Sequence, residues 1–328
     1  MKPVLRIGFA DFWPQFDPRD NVFVRLLGMR YELVFDAEPQ VLFYSVFGKT
    51  YRSFNCLRIF YTGERVRPDF HECDYSLTFE HDTHAGRNLR FPLYALEYEP
   101  EQFLKSSDVE RAFAQKSRFC NFVYSNPRCI RRNRFFRALS RYKLVDSGGS
   151  LYNNMGARVG DKVAFLRRYK FTIAFENGLH DGYTTEKLVE PMLACSVPVY
   201  WGNRLVSRDF DSASFVNCHE YGCVEAVIER LRYLDNNDAA YCALLARPWF
   251  RGNTVPPWLE RGTLARFLTG AIESAQTITP VAHRRRFHPA ASLAVGVWHG
   301  RRALRRVHPL RLLKRGWDAV RVAIAKTI

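Results

Sequence analysis

Short apolar runs recur along most of the chain, and polar or helix-compatible stretches separate them. Apolar runs of roughly four to eight residues predict buried strands, and their alternation with helices predicts the parallel sheets of an α/β fold. The first group of predicted strands comprises Val4–Ala10, Val41–Phe47, Leu57–Tyr61, Tyr75–Phe79 and Leu89–Leu93. The second group comprises Phe119–Tyr124, Lys143–Asp146, Phe171–Phe175, Val197–Trp201 and Ser214–Asn217.

Helical periods complete the pattern and divide the chain into segments. They predict helices near Cys129–Ser140, Glu225–Leu234, Ala239–Leu245 and Leu259–Ser274. Another helix is expected after residue 184, with a kink or two short segments at Pro191, because an interior proline removes a hydrogen bond. The polar stretch 108–117 predicts a linker. The predicted segments are a first α/β domain at 1–116, a second at 117–257, a helix crossing back to the first at 258–280, and a tail at 281–328.

The predicted tail differs from the rest of the chain in charge. Residues 282–328 hold 12 Lys and Arg residues and one acid, Asp318, in a protein whose net charge is +16. Arg clusters mix with apolar residues that include Trp298 and Trp317, and Pro309 divides the segment. Two basic amphipathic helices of this kind are typical of binding in the plane of an anionic membrane. Nucleic acid is the alternative polyanion, but no nucleic-acid-binding motif accompanies the charge, so no such partner is expected.

Cysteine usage and hydropathy indicate the compartment. The eight cysteines are scattered, with no C-x-x-C pair and no zinc-ligand spacing, so we expect reduced thiols. The start, MKPVLRIGFADFW, has no charged leader followed by a long apolar run, and no apolar window of about 18 residues occurs. We therefore expect no cleaved signal and no membrane span. The expected location is the cytoplasm, with peripheral attachment to the inner face of the cytoplasmic membrane.

The densest polar chemistry lies in residues 170–203, which predict a strand, a loop, a helix and a second strand. In a parallel sheet such a loop lies at the carboxyl edge, where open α/β folds bind nucleotides. Thr184 or Thr185 suits the N-cap of the helix, whose amino end, with Lys187 close by, favours a diphosphate. Glu186 suits a pair of sugar hydroxyls, because an ionised carboxylate only accepts hydrogen bonds. The alternative is a plain capped surface helix with a solvated Glu-Lys pair.

Residue for residue, this block resembles the bacterial α1,3/4-fucosyltransferase family, inverting enzymes that use GDP-fucose. The resemblance rests on K-F-x-x-x-F-E-N, G-Y-x-T-E-K and V-P-V-Y-W-G, which occur here in that order and at the family's spacing. Upstream it extends to F-Y-T-G-E at 60–64, C-D-Y at 73–75, S-N at 125–126, R-N at 132–133 and a glycine turn at 147–149. The matches run from about residue 57 to 250.

What the resemblance implies is a GT-B architecture, in which two Rossmann-like domains face each other across a cleft. The carboxyl-terminal domain would hold GDP-fucose, and the amino-terminal domain would present the acceptor. The family motifs put Arg132, Tyr183 and Lys187 at the diphosphate, Glu186 at the ribose or nearby hydroxyls, Asn177 at the donor, and Glu64 in the role of general base. No cofactor is expected to be required, and a divalent metal would at most stimulate.

Inversion by a single in-line displacement explains these roles. One carboxylate must take the proton of the acceptor hydroxyl as it attacks C1 of fucose, and Glu64 follows a predicted strand just before a polar turn. Such a base typically contributes about 10²–10⁴-fold. Negative charge develops on the leaving diphosphate, where Arg132 and Lys187 would stabilise it. Other arginines surround Arg132, so only the S-N and R-N spacing singles it out.

Four further residues are weaker candidates for donor or acceptor contacts. His81 lies in a polar loop after a predicted strand, and Gly148 and Gly149 form the glycine turn. Glu176 either binds the donor or anchors its loop. The sequence Asp209-Phe210-Asp211 imitates the D-x-D motif of metal-dependent transferases, but we expect turn residues there and no metal site.

We therefore predict an α1,3- or α1,4-fucosyltransferase that transfers L-fucose from GDP-L-fucose to a hydroxyl of an N-acetylglucosamine-containing glycan. One alternative is a GT-B enzyme that uses a different nucleotide sugar. The other is a non-catalytic α/β protein that binds a polyanion or a membrane through its tail. The sequence leaves the acceptor open among lipopolysaccharide, a lipid-linked oligosaccharide and a chitin-type oligomer.

Overall fold

Two parallel β-sheets form the centres of two α/β units. The structure is a computed structural model that describes residues 1–105, 108–275 and 277–284. The first sheet is built from β1 (Val4–Ala10), β2 (Glu32–Phe35), β3 (Val41–Tyr44), β4 (Leu57–Tyr61), β5 (Tyr75–Thr78) and β6 (Asn88–Arg90). The second is built from β7 (Arg118–Phe122), β8 (Val145–Ser147), β9 (Tyr169–Phe175), β10 (Val197–Trp201) and β11 (Val216–Asn217).

The α-helices of the described residues connect these strands. They are α1 (Val22–Arg30), α2 (Leu93–Glu97), α3 (Val109–Ala114), α4 (Ile130–Tyr142), α5 (Lys162–Leu166), α6 (Glu186–Leu193), α7 (Val224–Asp235), α8 (Asp238–Ala246), α9 (Arg261–Ser274) and α10 (Val281–Arg284). Several begin where a polar side chain accepts from the first turn, as Asn21 does for α1, Asp161 for α5 and Thr185 for α6. Such caps satisfy amide groups that would otherwise lack a partner.

Strand order creates a crevice in each unit. The first sheet has the order β2-β1-β3-β4-β5-β6 and the second the order β11-β10-β9-β7-β8, and the strand pairs are parallel. In each sheet the winding reverses beside the first strand, between β1 and β3 and between β7 and β9. Loops leaving the carboxyl ends of strands at such a point form a binding crevice. The two doubly wound sheets confirm the predicted α/β fold with two Rossmann-like units.

The two units share one hydrophobic core away from the crevices. Leu188 and Met192 of α6 belong to the same buried cluster as Tyr94 and Phe103 of the first unit. Helix α9 also packs against α1, and Arg30 pairs with Glu273 between them at 2.6 Å. The contacts of these helices hold the units together, and the loops that follow the carboxyl ends of β4 and β9 meet in the cleft between the units.

Several predicted elements differ from the observed ones. Strand β3 ends at Tyr44 and β6 at Arg90, and Leu93 begins α2 instead of ending a strand. The predicted linker contains α3, because the Asp108 side chain caps a helix there by accepting from the N–H of Arg111 at 2.9 Å. Of the two predicted outcomes at Pro191, a kink or two short segments, the structure rules out the second, because α6 is a single helix of eight residues with Pro191 inside it. Pro191 lacks the N–H that would donate to the Lys187 carbonyl, so it removes one hydrogen bond but does not divide the helix.

The predicted tail lies outside the described residues from residue 285 onward. Just before it, the N–H of Val281 donates to the carboxylate of Asp74 at 2.8 Å, which ties α10 to the first unit. Within the described part of the chain, no helix is long and apolar enough to cross a membrane. All eight cysteines lie in the described ranges and are free thiols.

Candidate active site

Polar loops from both units meet at the cleft. On the first unit, β4 ends at Tyr61 and leads into the loop that carries Glu64. On the second, β9 ends at Phe175 and leads through a loop to α6. The Tyr183 hydroxyl of that second loop donates to the main-chain carbonyl of Gly63 at 3.2 Å. The loop with the predicted base and the loop with the predicted donor contacts are therefore in direct contact.

A buried carboxylate occupies the amino end of α6. Glu176 has no exposed surface, and its Oε1 accepts from the Thr185 N–H at 2.8 Å and from the Thr185 hydroxyl at 2.9 Å. Burial raises the pKa of Glu176, while Lys187 and these hydrogen bonds act against that rise. Thr185 is the N-cap, as one of the two sequence alternatives predicted. The geometry favours Glu176 as the anchor of the loop over direct contact with a ligand.

Lys187 places a positive charge beside that carboxylate. Its Nζ donates to the Thr185 hydroxyl at 2.9 Å and lies 2.9 Å from Glu186 and 3.5 Å from Glu176. Burial opposes the charge, but Glu176 and Glu186 outweigh it and raise the pKa of Lys187. For Glu186, burial is the largest influence and raises the pKa, but Lys187, Lys162 and Thr185 together lower it by more, and the net shift is downward. The lysine is therefore a cation and Glu186 an anion at neutral pH.

Arg132 and Asn177 form a second polar pair of the cleft. The Arg132 guanidinium is buried, donates from Nη1 to Asn177 Oδ1 at 2.8 Å, and lies 4.0 Å above the Tyr124 ring. Its Nη2 donates to the main-chain carbonyl of Asn126. Asn177 is exposed. The structure therefore brings these two predicted donor residues together, with Arg132 buried and Asn177 exposed.

Tyr183 is enclosed between the two units. Its ring makes an edge contact with Phe79 of the first unit at 5.4 Å between centroids. Burial, together with the nearby carboxylate of Glu176, raises the pKa of Tyr183, so its hydroxyl remains a hydrogen-bond donor. The Tyr183 hydroxyl already donates to the Gly63 carbonyl, so a hydrogen bond from this hydroxyl to a diphosphate would compete with that bond.

Glu64 is exposed at the start of a tight loop. Its N–H donates to the Thr62 hydroxyl at 2.9 Å, and that hydroxyl donates to the Glu64 carbonyl at 3.1 Å. Thr62 itself is buried. These main-chain bonds hold the loop while leaving the Glu64 carboxylate accessible, as an acceptor-side base requires.

The glycine turn supports the site by close packing. A side chain at Gly149 would bring Cβ within 2.1 Å of the Tyr124 carbonyl oxygen, and one at Gly148 would meet Val159 at 2.4 Å. Both glycines are buried. Because neither residue has a side chain, the turn can pack closely against Tyr124, whose ring contacts the guanidinium of Arg132.

His81 lies at the boundary of the two units. Its side chain is 19% exposed, and its Nε2 is 4.0 Å from Asp209 Oδ1. Burial and the charges of Arg90 and Arg208 lower the pKa of His81 to about 4. The imidazole is therefore neutral at pH 7, which suits a hydrogen-bond role more than an ionic one.

The sequence prediction missed a buried ion pair between the units. Arg90 Nε donates to Asp209 Oδ1 at 2.9 Å, and Nη2 donates to the Gly182 carbonyl at 3.0 Å. Both members of the pair are buried. Asp209 and Asp211 are turn residues, as predicted: the Asp209 N–H donates to the Val206 carbonyl at 3.1 Å, and Asp211 accepts from the Ala213 N–H at 3.0 Å. No sequence signal marks the pair, because its partners lie 119 residues apart.

Two family models match the chain. Residues 7–97 match the alpha-(1,3)-fucosyltransferase FucT N-terminal domain, and residues 113–252 match the glycosyltransferase family 10 (fucosyltransferase) C-terminal domain. The alpha-(1,3)-fucosyltransferase FucT of Helicobacter pylori is 30% identical over an alignment of 285 residues that covers 74% of this chain and 60% of that protein. Alpha-(1,3)-fucosyltransferase 4 of Bos taurus is 35% identical over 113 residues, 34% of this chain and 28% of that protein.

Solved structures give the same result. The structure of an α1,3-fucosyltransferase with GDP-fucose has a TM-score of 0.69 and 27% identity, over 83% of this chain and 91% of that chain. A structure with GDP has a TM-score of 0.70 and 28% identity over the same shares. The two-unit architecture is thus that of solved fucosyltransferases. The chain spans 60% of the length of the Helicobacter pylori protein and 28% of the length of the Bos taurus protein.

Proposed function

The chain belongs to the glycosyltransferase family 10 fucosyltransferases, and on that basis we propose that it transfers L-fucose from GDP-L-fucose to a glycan hydroxyl with inversion. One observation carries the proposal. The hydrogen bond from Tyr183 to Gly63 brings the predicted donor loop against the loop that carries Glu64. Holding a donor and a base in one orientation removes much of the entropic barrier to an in-line attack.

The donor side supplies the charges that a nucleoside diphosphate needs. Lys187 is a cation at the amino end of α6, and Asn177 presents an exposed amide backed by Arg132. Glu186 is an ionised acceptor suited to hydroxyl groups of the ribose or a nearby sugar. In this proposal, Arg132 and Lys187 stabilise the negative charge that develops on the leaving diphosphate.

The acceptor side supplies the base. The Glu64 carboxylate takes the proton of the acceptor hydroxyl while the oxygen of that hydroxyl bonds to C1 of fucose. The bond from C1 to the phosphate oxygen breaks at the same time, and GDP leaves with the electron pair. The attacking and leaving oxygens lie on opposite faces of C1, so the configuration at C1 inverts.

The acceptor in this proposal is an N-acetylglucosamine-containing glycan, joined through an α1,3 or α1,4 bond. An assay of GDP release tests the donor and the reaction together. With N-acetyllactosamine as acceptor, GDP-fucose should give turnover, and GDP-mannose and UDP-sugars should give little. Equal turnover of the other nucleotide sugars would support a different transferase, and donor binding without transfer to any glycan would support a non-catalytic protein.

The tail provides the location in this proposal. The basic amphipathic segment from residue 285 onward, outside the described residues, is proposed to bind the anionic inner face of the cytoplasmic membrane. Co-sedimentation with anionic and neutral vesicles tests this, using the full chain and a protein that ends at residue 284. The full chain should sediment with anionic vesicles only, and equal sedimentation of the two proteins would contradict the proposal.

A further inference from the structure

A cavity of about 470 Å³ opens on the first unit beside the loop of Glu64. Arg65 and Arg67, which follow Glu64 closely in the chain, line it, and so do Tyr44 and Phe60 at the carboxyl ends of β3 and β4. Its volume falls within the range of roughly 300–1,000 Å³ that is usual for small-molecule sites. A group bound there lies next to the proposed base and on the acceptor side of the cleft.

The inner wall of the cavity has unused hydrogen-bonding capacity. Ser45 lines the cavity and is buried, and its Oγ has no hydrogen-bond partner among the described residues. A buried hydroxyl without a partner costs free energy until a ligand or water satisfies it. Beside it, the rings of Tyr44 and Tyr51 stack with centroids 4.1 Å apart. A hydroxyl next to aromatic rings suits a sugar, which carries both hydroxyl groups and apolar C–H faces.

The charged residues around the cavity are mainly cationic. Those lining it are Lys49, Arg52, Arg65, Arg67, Asp69 and Glu72. Arg52 is held by Glu72 at 2.9 Å, and Arg67 pairs with Glu80 at 2.8 Å. Lys49 and Arg65 are exposed, and within the described ranges neither forms an ion pair. Of the remaining lining charges, Lys49 and Arg65 are cations and Asp69 is an anion, so the cavity keeps a net positive charge.

Arg65 connects this cavity to the donor side. Its Nη1 lies 2.4 Å from the position that a Cβ would take at Gly178, in the loop that leaves β9. Gly178 directly follows Asn177, a proposed donor contact. A ligand group held by Arg65 is therefore close to the point where the two substrates must meet.

We propose that this cavity binds an anionic group of the acceptor glycan, a carboxylate or a phosphate, so that the enzyme prefers an acidic acceptor to its neutral counterpart. Lys49 and Arg65 bind the anion, and the Ser45 hydroxyl bonds to the sugar ring that bears it. The inference rests on the proposed transferase function and assigns the acceptor class of the same site. Because Lys49 and Arg65 are exposed to solvent, their attraction for the anion weakens as salt screens it.

Matched acceptors test the proposal. The KM of the full-length enzyme is measured for N-acetyllactosamine, its 3′-sialylated form and a form phosphorylated on the galactose 6-hydroxyl. At least one acidic form should have a KM about tenfold lower than the neutral one, equivalent to about 1.4 kcal/mol. The advantage should shrink as the salt concentration rises. Equal KM values for the three acceptors would overturn the inference.

Single substitutions locate the effect. Lys49→Ala and Arg65→Met should each raise the KM for the preferred acidic acceptor about three- to tenfold, because each removes one charge from the anion site. Arg141→Ala is the matched control, since Arg141 is an exposed arginine of α4 in the other unit. It should leave all three KM values unchanged. An acidic preference that persists in both cavity variants would place the anion site elsewhere and reject this cavity.

Binding without donor separates this inference from the proposed function. Saturation-transfer NMR compares the acidic and neutral acceptors on the wild-type protein and on Lys49→Ala. Binding of the acidic form that depends on Lys49, in a protein that transfers no fucose, would support the site and refute the transferase. Equal fucosylation of neutral and acidic acceptors would refute the site and support the transferase.

Discussion

The Tyr183 hydroxyl donates a hydrogen bond to the Gly63 carbonyl at 3.2 Å, although the two residues are 120 positions apart in sequence. The bond joins the loop that leaves β9 to the loop that leaves β4, directly before Glu64. It therefore sets the spacing between the proposed donor contacts and the proposed base. An enzyme that works by in-line displacement depends on that spacing.

Tyr183→Phe removes only this hydrogen bond, because the ring and its contact with Phe79 remain. We expect kcat/KM to fall about three- to tenfold, since a single hydrogen bond contributes about 1 kcal/mol. Steady-state kinetics with GDP-fucose provide the measurement. Tyr142→Phe is the control, because that hydroxyl donates to Asp235 at 3.1 Å away from the cleft and its loss should leave kcat/KM unchanged.

Glu64→Gln removes the proposed base but keeps the shape of the side chain. We expect kcat to fall by about 10²–10⁴-fold, the usual contribution of a general base. The Kd for GDP, measured by calorimetry, should stay the same, because Glu64 belongs to the opposite unit. Glu101→Gln, at an exposed position of the first unit, should keep the wild-type kcat. A variant at Glu64 with the wild-type rate would assign the base to another residue.

Removing one member of the Arg90–Asp209 pair should lower the free energy of unfolding more than replacing both members with apolar residues. Arg90→Met or Asp209→Leu leaves a buried charge without its partner, which lowers the free energy of unfolding by about 3–5 kcal/mol. The double variant Arg90→Met, Asp209→Leu should recover part of that loss. Urea denaturation gives the values.

A surface pair offers a matched comparison for that prediction. Arg25 and Asp20 are 2.6 Å apart, but both side chains are more than half exposed. Arg25→Ala should therefore cost at most about 1 kcal/mol. Equal losses at the buried and exposed pairs, or strict additivity in the double variant of the buried pair, would contradict the structure.

His81 should make the fold sensitive to acid. Burial, Arg90 and Arg208 lower the pKa of His81 from its ordinary value of 6.5 to about 4 in the folded state. The unfolded chain then binds more protons between these values, so stability falls as the pH drops through this window, by up to about 1.4 kcal/mol per pH unit. His81→Gln should flatten the decline in Tm between pH 7 and pH 4.5. An unchanged decline would refute the assignment.

Gly149→Ala should disturb the support of Arg132 from a distance. The added Cβ would lie 2.1 Å from the Tyr124 carbonyl oxygen, so the turn or Tyr124 must move, at a cost of about 1–3 kcal/mol in stability. GDP affinity should fall with it, because the Tyr124 ring stacks on the Arg132 guanidinium. Gly270→Ala in α9 is the control: its Cβ meets nothing within 4 Å, and a helical alanine stabilises by about 1 kcal/mol.

Many elements of the fold could be predicted from local sequence. Strands β1, β4 and β10 begin and end where the apolar runs do, and α6 begins after the predicted N-cap Thr185. The errors are also local in origin. The polar stretch at 108–117 predicts a linker unless its capping residue, Asp108, is recognised as the start of a helix. The prediction also allows two short segments at Pro191, although one proline does not divide α6.

The candidate site was less predictable, because its geometry depends on contacts between distant residues. The family motifs marked Arg132, Asn177, Lys187 and Glu64, but their roles in catalysis stay predictions. Sequence left Glu176 as either ligand contact or anchor, and its complete burial against Thr185 favours the anchor.

By itself, the sequence determined the α/β class, the family and the segment that holds the proposed donor site, because apolar periods, caps and motifs are properties of neighbouring residues. Only the tertiary structure decided that Arg132 is buried and donates to Asn177 and that Arg90 pairs with Asp209. It also decided that a cationic cavity opens beside Glu64. The physical reason is the same in each case: burial and electrostatic pairing depend on which surfaces the fold brings together, and no local pattern encodes that choice.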